Sequence, residues 1–181
     1  MLRCDDAEIT SQALRAGAGD RAATEAFVRA TQADVRRFVA YLAGDVRLAD
    51  DLAQETYLRA LPALARFEHR SPARAWLLSV ARRVVADHIR SLRARPRPHN
   101  GSDTVDQVDP GFAEVVLNEL VGALDPERRS AFVLTQLLGL SYAEAAEVCG
   151  CPIGTIRSRV ARAREDLVTA IHDDRTGRRV S

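Results

Sequence analysis

The sequence predicts an all-α protein: two small helical domains joined by a flexible acidic linker. Three observations carry that expectation. Apolar residues recur three or four apart, no stretch alternates as a strand does, and a Pro-, Gly- and Asp-rich segment divides the chain. The 181 residues are 46% hydrophobic, enough to bury cores, and the length suits one ordinary domain or two small ones.

The elements follow in order. Residues 22–43 place Phe27, Val35, Phe38, Val39 and Leu42 at mostly helical spacing, and Gly44 ends the pattern. Residues 48–64 give a stripe of Leu48, Leu52, Leu58, Leu61 and Leu64 with Tyr57 beside it. Pro62 predicts a bend or stop near Leu61. Ser71-Pro72 reads as an N-cap and first helical position, opening a helix through Trp76, Leu77, Val80, Val84 and Ile89 to about Leu92. Residues 96–111 have linker composition: Pro96, Pro98, Asn100, Gly101, Ser102, three aspartates, Pro110 and Gly111. Helical spacing resumes over 112–124. Asp125-Pro126-Glu127 then reads as a cap and first turn, with a helix to about Leu138 and a stop at Gly139. The expected division is a domain over 8–95, a linker over 96–111, a domain over 112–172, and a basic, disordered tail over 173–181.

The C-terminal half carries a helix-turn-helix pattern. Ser141 and Glu144 have capping-box spacing, Ala146 is small enough for a close helix crossing, Gly150 tolerates a left-handed turn, and Ile156 would anchor the second helix. On a wheel of about 100° per residue, Ile156, Val160, Ala163 and Leu167 form one stripe. Ser158, Ala161, Arg162 and Glu165 lie opposite, with Arg157, Arg159 and Arg164 at the rims. Rim guanidiniums suit phosphates and central side chains suit base edges, as on a helix in a major groove.

Charge is segregated. The formal net charge is +1, and all 26 basic residues are arginine. Residues 1–81 balance 11 Arg against 11 acids, 82–97 carry +5, 98–127 carry −7 with no Arg, and 128–181 carry +3. Blocks of this kind indicate separate surfaces with separate partners.

Several classes are excluded. No run approaches the ~18 apolar residues of a membrane span. The start, with Asp5, Asp6 and Glu8, is no signal peptide, and a cytoplasmic protein is expected. Cys4, Cys149 and Cys151 make no disulfide framework, and Cys-x-Cys without further ligands falls short of a zinc site; the corner position of Cys149 and Cys151 favours packing. His69, His88, His99 and His172 lack metal spacing, and no phosphate loop or nucleophile elbow occurs, so neither an enzyme nor a cofactor is expected.

Three strings then point one way. LGLSYAEAAEVCGCPIGTIRSRVARAR (138–164) resembles the region 4 helix-turn-helix of the extracytoplasmic-function (ECF) sigma factors of the sigma-70 family. ADDLAQETYLRAL (49–61) resembles their region 2.2, and WLLSVARRVVADHIRSLRARPR (76–97) their regions 2.3 to 2.4. The likeness runs over roughly residues 8–170, in family order, and RFVAYL and CGCP are most like an actinobacterial branch.

The resemblance implies an alternative sigma factor that binds core RNA polymerase and directs initiation at promoters. Asp51, Gln54, Glu55 and Arg59 would meet the β′ clamp helices, and the β flap would be a further contact. His69, Arg70, Ser71 and Arg74 match the loop that takes a flipped −10 base; Arg82, Arg83, Arg90 and Arg93 would face −10 DNA. Arg83 stands where many members carry Asn, so the −10 preference is left open. Trp76 falls on the apolar stripe, which favours packing over base stacking, and Asp87 fits an ion-pair or capping role. Arg157, Ser158, Ala161 and Arg162 match −35 reading positions, with Thr155 and Arg159 on phosphates. Family members are often held by an anti-sigma factor, a partner left open here; no membrane partner is implied, and a monomer is expected. The −7 block beside an arginine face would let the free domains pack together and cover their DNA surfaces. Two other readings compete. A ligand-sensing dimeric regulator conflicts with the 2.2 string, and a polymerase adaptor without promoter reading conflicts with the arginines of 82–97 and 157–164.

Overall fold

The computed structural model describes residues 6–94 and 112–177, with side chains from 117 to 172 in the second stretch. The predicted linker, Cys4, and residues 178–181 lie outside it. Every regular element among the described residues is helical, as the spacing predicts.

Helix α1, Asp6–Gly17, has no counterpart in the apolar pattern, because it buries only Ile9, Thr10 and Ala13. It approaches the chain closely at its end: a Cβ on Gly17 would lie 2.4 Å from the Leu64 carbonyl oxygen. Helix α2, Arg21–Ala43, starts on Asp20, whose carboxylate accepts from the Ala23 amide, and ends on Gly44 in the left-handed region at φ 70°.

A short 3₁₀ turn at Val46–Leu48 leads into α3, Ala49–Ala63. This helix carries Pro62 in its last turn and ends at Ala63, two residues beyond Leu61, and a 3₁₀ turn over Leu64–Arg66 follows. Its buried side also differs from the leucine stripe. Leu52, Thr56, Ala60 and Leu64 face inward, while Leu58 is 63% exposed. Thr56 can be buried because its hydroxyl donates to the Leu52 carbonyl at 2.7 Å.

Helix α4 spans Ala73–Ala94. It does not open on a Ser71 cap. Pro72 supplies the first carbonyl, accepting from the Trp76 amide, and the Ala73 amide donates to the Thr10 hydroxyl of α1 at 3.1 Å. The orphan donor is satisfied from 63 residues away.

In the second half, α5 spans Phe112–Gly122 and α6 spans Pro126–Phe132, capped by the Asp125 carboxylate as predicted. The chain continues as a π-helical turn, Val133–Leu137, before Gly139 turns it at φ 66°. Helix α7, Tyr142–Cys149, has the full Ser141–Glu144 capping box and ends on left-handed Gly150. Helix α8, Ile153–Gly177, extends five residues into the predicted tail.

The two domains pack on each other. Helix α4 packs on α7, and α2 meets α5 and α6, so one apolar core runs from Ile9 to Ala163. Polar contacts close the seam. Arg129, between Gly44 and the end of α5, donates to the carbonyls of Tyr41, Leu42, Gly122 and Leu124. Burial of this guanidinium pushes its pKa down.

Candidate nucleic-acid interface

The region 2.2 residues sit on the rim of a groove between α3 and α4. Asp51, Glu55 and Arg59 come from α3; Val84, Asp87, His88 and Ser91 come from α4 and close a space of about 420 Å³ over Leu48 and Leu52. Arg59 spans it, donating to Glu55 at 2.7 Å and to Asp87 at 2.6 Å, and these two acceptors raise its pKa. Asp87 also pairs with Arg90, and donation from Arg59 foremost keeps its carboxyl below the usual range. Gln54 is exposed but does not line the groove. Asp87, His88 and Ser91 were missing from the α3-based list because only tertiary packing lays α4 beside it.

The loop ahead of α4 presents an aromatic group. Phe67 and Trp76 rings lie 5.2 Å apart at 48°, and Phe67 and His69 rings 6.2 Å apart. His69 has φ 51°, the one non-glycine residue at positive φ among the described residues. That conformation is uncommon for a side-chain-bearing residue. His69 and Arg70 are exposed, and Ser71 is half-buried. Trp76 is half-buried against the core, as its stripe position predicts.

Arg74 is placed apart from them. It is 6% exposed, its Nη2 lies 2.6 Å from Asp34 Oδ2, and the same nitrogen donates to the Leu138 carbonyl at 2.7 Å. The loop string suggested an outward arginine; the fold turns it into the seam, where it ties α2 and α4 to the turn after the π helix.

The α4 arginines divide similarly. Arg83 and Arg93 are exposed, with Arg83 donating only to Ser79 of its own helix. Arg90 is held by Asp87. Arg82 points to the seam, 2.8 Å from Glu127 Oε1. The other oxygen of that carboxylate lies 3.0 Å from Nη1 of Arg159. One glutamate therefore holds an arginine from each half, and −35 candidate Arg159 is half-buried.

The rest of α8 matches the wheel. Ile156, Val160 and Ala163 are buried, while Arg157, Ser158, Ala161 and Arg162 are exposed. Arg157 and Arg162 form no ion pair among the described residues. Thr155 is half-buried, and its carbonyl accepts from the Ser158 hydroxyl. Asp34, Glu127 and Arg129 are the polar residues the sequence reading missed. Glu127 was read only as part of a first turn and of the −7 block, and nothing in the sequence reading singled out Asp34 or Arg129. No described helix is long and apolar enough to cross a membrane.

Comparison with known proteins agrees with this geometry. Residues 27–95 match the family described as Sigma-70 region 2, and 115–167 match Sigma-70, region 4. The chain is 55% identical to the ECF RNA polymerase sigma factor SigC of Mycobacterium tuberculosis, over 96% of this chain and 97% of that one. It is 37% identical to the ECF sigma factor EcfG of Rhodopseudomonas palustris, over 77% and 80%. Among solved structures it resembles the sigma factor RpoE of Bartonella quintana, determined in complex with the anti-sigma factor NepR: TM-score 0.70, 27% identity, 82% of this chain and 96% of that one. The chain therefore belongs to the ECF sigma factors of the sigma-70 family, is of the sigma-C type, and is a promoter-directing subunit of RNA polymerase rather than an enzyme.

Proposed function

We propose a division of labour for the named residues and a resting state for the free protein. The α3–α4 groove, through Asp51, Glu55, Arg59 and Asp87, docks on the β′ clamp helices of core polymerase, with Gln54 at its edge. The loop of Phe67, His69, Arg70 and Ser71 receives a −10 base, and Arg83, Arg90 and Arg93 follow its strand. In α8, Arg157, Ser158, Ala161 and Arg162 read −35 DNA. Region 4 also meets the β flap, and the chain acts in the cytoplasm, where polymerase and DNA are.

The described arrangement is the resting form. One observation carries this reading: Glu127 occupies Arg82 and Arg159 together, where DNA phosphates would otherwise lie. The Bartonella relative is held by an anti-sigma factor; here the seam itself supplies a restraint. Polymerase, by gripping the two regions at the promoter spacing, would draw the arginines off the glutamate.

Run-off transcription with purified chain and core polymerase tests the first part. Initiation from cognate promoters is expected; core binding without initiation on any template of a genome-wide set would refute it. The resting form is tested with Glu127→Gln. The free variant should bind duplex DNA about tenfold more tightly than the parent. Equal affinities would remove the seam from the account.

A further inference from the structure

The Cys149-Gly150-Cys151 corner has no part in the function proposed above, and its two thiols sit in different settings. Cys149 ends α7 and is 8% exposed. Helix α7 packs on α4 of region 2, so Cys149 ends a helix that forms the seam, within the electrostatic reach of Arg82, Glu127 and Arg159. Burial pushes this thiol up to about 11, which leaves it protonated and inert while the seam is closed.

Cys151 is half-buried, and Arg159 Nη1 donates to its Sγ at 3.4 Å. That nitrogen is the one paired with Glu127. One sulfur is thus within reach of solvent and tied to the ion cluster, and the other is packed beneath it. Gly150 between them has no side chain and sits at φ 64°, ψ 41°. Residues two apart are at most about 7 Å from each other, so the pair needs little backbone change to reach disulfide range.

We propose that this corner is a redox-modification site, at which a hydroperoxide converts the two thiols to a disulfide that holds the seam open. The inference rests on the resting form described above. The Cys151 sulfur attacks the peroxide: an S–O bond forms, the O–O bond breaks, and the departing hydroxide takes up the thiol's proton and leaves as water. The sulfur of Cys149 then attacks the sulfenic acid: an S–S bond forms, the S–O bond breaks, and a second water leaves. Two thiols and one hydrogen peroxide give one disulfide and two waters, with two electrons passing from sulfur to the peroxide. Cys149 reacts only when the seam parts, so the reaction captures the open form. The disulfide withdraws its side chain from α4 and removes the Cys151 sulfur from Arg159. A dithiol reductant reverses the change.

The experiment uses the full chain carrying Cys4→Ser, treated with hydrogen peroxide. Three readouts are followed: intact mass, radius of gyration by small-angle scattering, and affinity for a short duplex DNA. The expected result is loss of two hydrogens, expansion, and about tenfold tighter DNA binding. With Cys149→Ser added, the reaction should stop at a sulfenic acid on Cys151 that dimedone traps, and the protein should stay compact. With Cys151→Ser added, neither product should form. An unchanged mass overturns the inference, as does a disulfide that leaves size and DNA affinity unchanged. A reduced protein already extended would overturn the resting form beneath it. Run-off activity of the reduced protein reports separately on the sigma function.

Discussion

Helices α4 and α8 both carry arginines proposed to meet DNA, yet their charge is deployed differently. On α8 the face opposite the buried stripe is exposed, with Arg157 and Arg162 in no ion pair among the described residues. On α4, Arg74 is buried, Arg82 is held by Glu127 and Arg90 by Asp87, leaving Arg83 and Arg93 as its freely exposed cations. Of the described arginines in the +5 block, Arg82 and Arg90 are therefore already engaged by carboxylates. In the proposed resting form, region 4 keeps more of its arginines exposed and region 2 commits more of its arginines to ion pairs.

The largest expected effect tests whether Arg74 belongs to the seam or to DNA. Arg74→Ala leaves the Asp34 carboxylate and the Leu138 carbonyl without their cation. It should lower unfolding free energy by about 3 kcal/mol, measured by urea denaturation. Arg83→Ala, on the same helix, should leave stability unchanged. Equal effects would erase the contrast.

Alkali offers a second comparison, between buried acids in the two halves. In region 2, burial raises Tyr57 from 10.0 to about 12, opposed by its hydrogen bond with Thr31. In region 4, burial raises Cys149 from 9.0 to about 11. A raised folded value means that the fold favours the protonated form. Its stabilisation is complete below the unfolded pKa and is lost as pH climbs through the folded one. Cys149 should therefore weaken the fold between pH 9.0 and about 11, and Tyr57 between 10.0 and about 12. Each contributes at most about 2.5 kcal/mol. Calorimetry of Cys149→Ala and Tyr57→Phe should flatten the corresponding stretch of the pH profile.

Smaller effects follow on the open face. Arg162→Ala should cost about 2 kcal/mol in promoter binding by the polymerase complex, with discrimination lost at one −35 position. Arg157→Ala should weaken all sequences alike and reduce the salt slope by about one. Filter binding over a salt series separates the two. The smallest effect is on the helix that supports α8. Ser141→Ala removes the cap of α7 and should cost about 1 kcal/mol in thermal unfolding.

Local signals in the chain were legible where local physics decides the outcome. The Ser141–Glu144 box, the Asp125 cap, the Gly44 and Gly150 turns and the buried stripe of α8 all depend on neighbours within a few residues. The misses share the opposite cause. Helix α1 buries too little apolar surface to show a stripe, and α3 carries its core on Thr56 and Ala60 rather than on Leu58. Ser71 is not the cap because a distant hydroxyl is better placed. Arg74 looks like any loop arginine until Asp34 and Leu138 are brought to it. The groove residues of α3 came from the resemblance to region 2.2; Asp87, His88 and Ser91 required knowing which helix lies alongside.

The hydroxyl of Thr10 on the first amide of α4 bears on how the protein can be divided. The family match begins at residue 27, which suggests that everything before it can be trimmed. Yet α1 furnishes a partner for the first amide of α4, just after the loop at 67–72, and its Gly17 nests against the turn that ends α3. A fragment beginning at the family boundary would keep every recognisable motif and lose the brace beneath the loop. In this chain the segment matched as region 2 is shorter than the unit that folds.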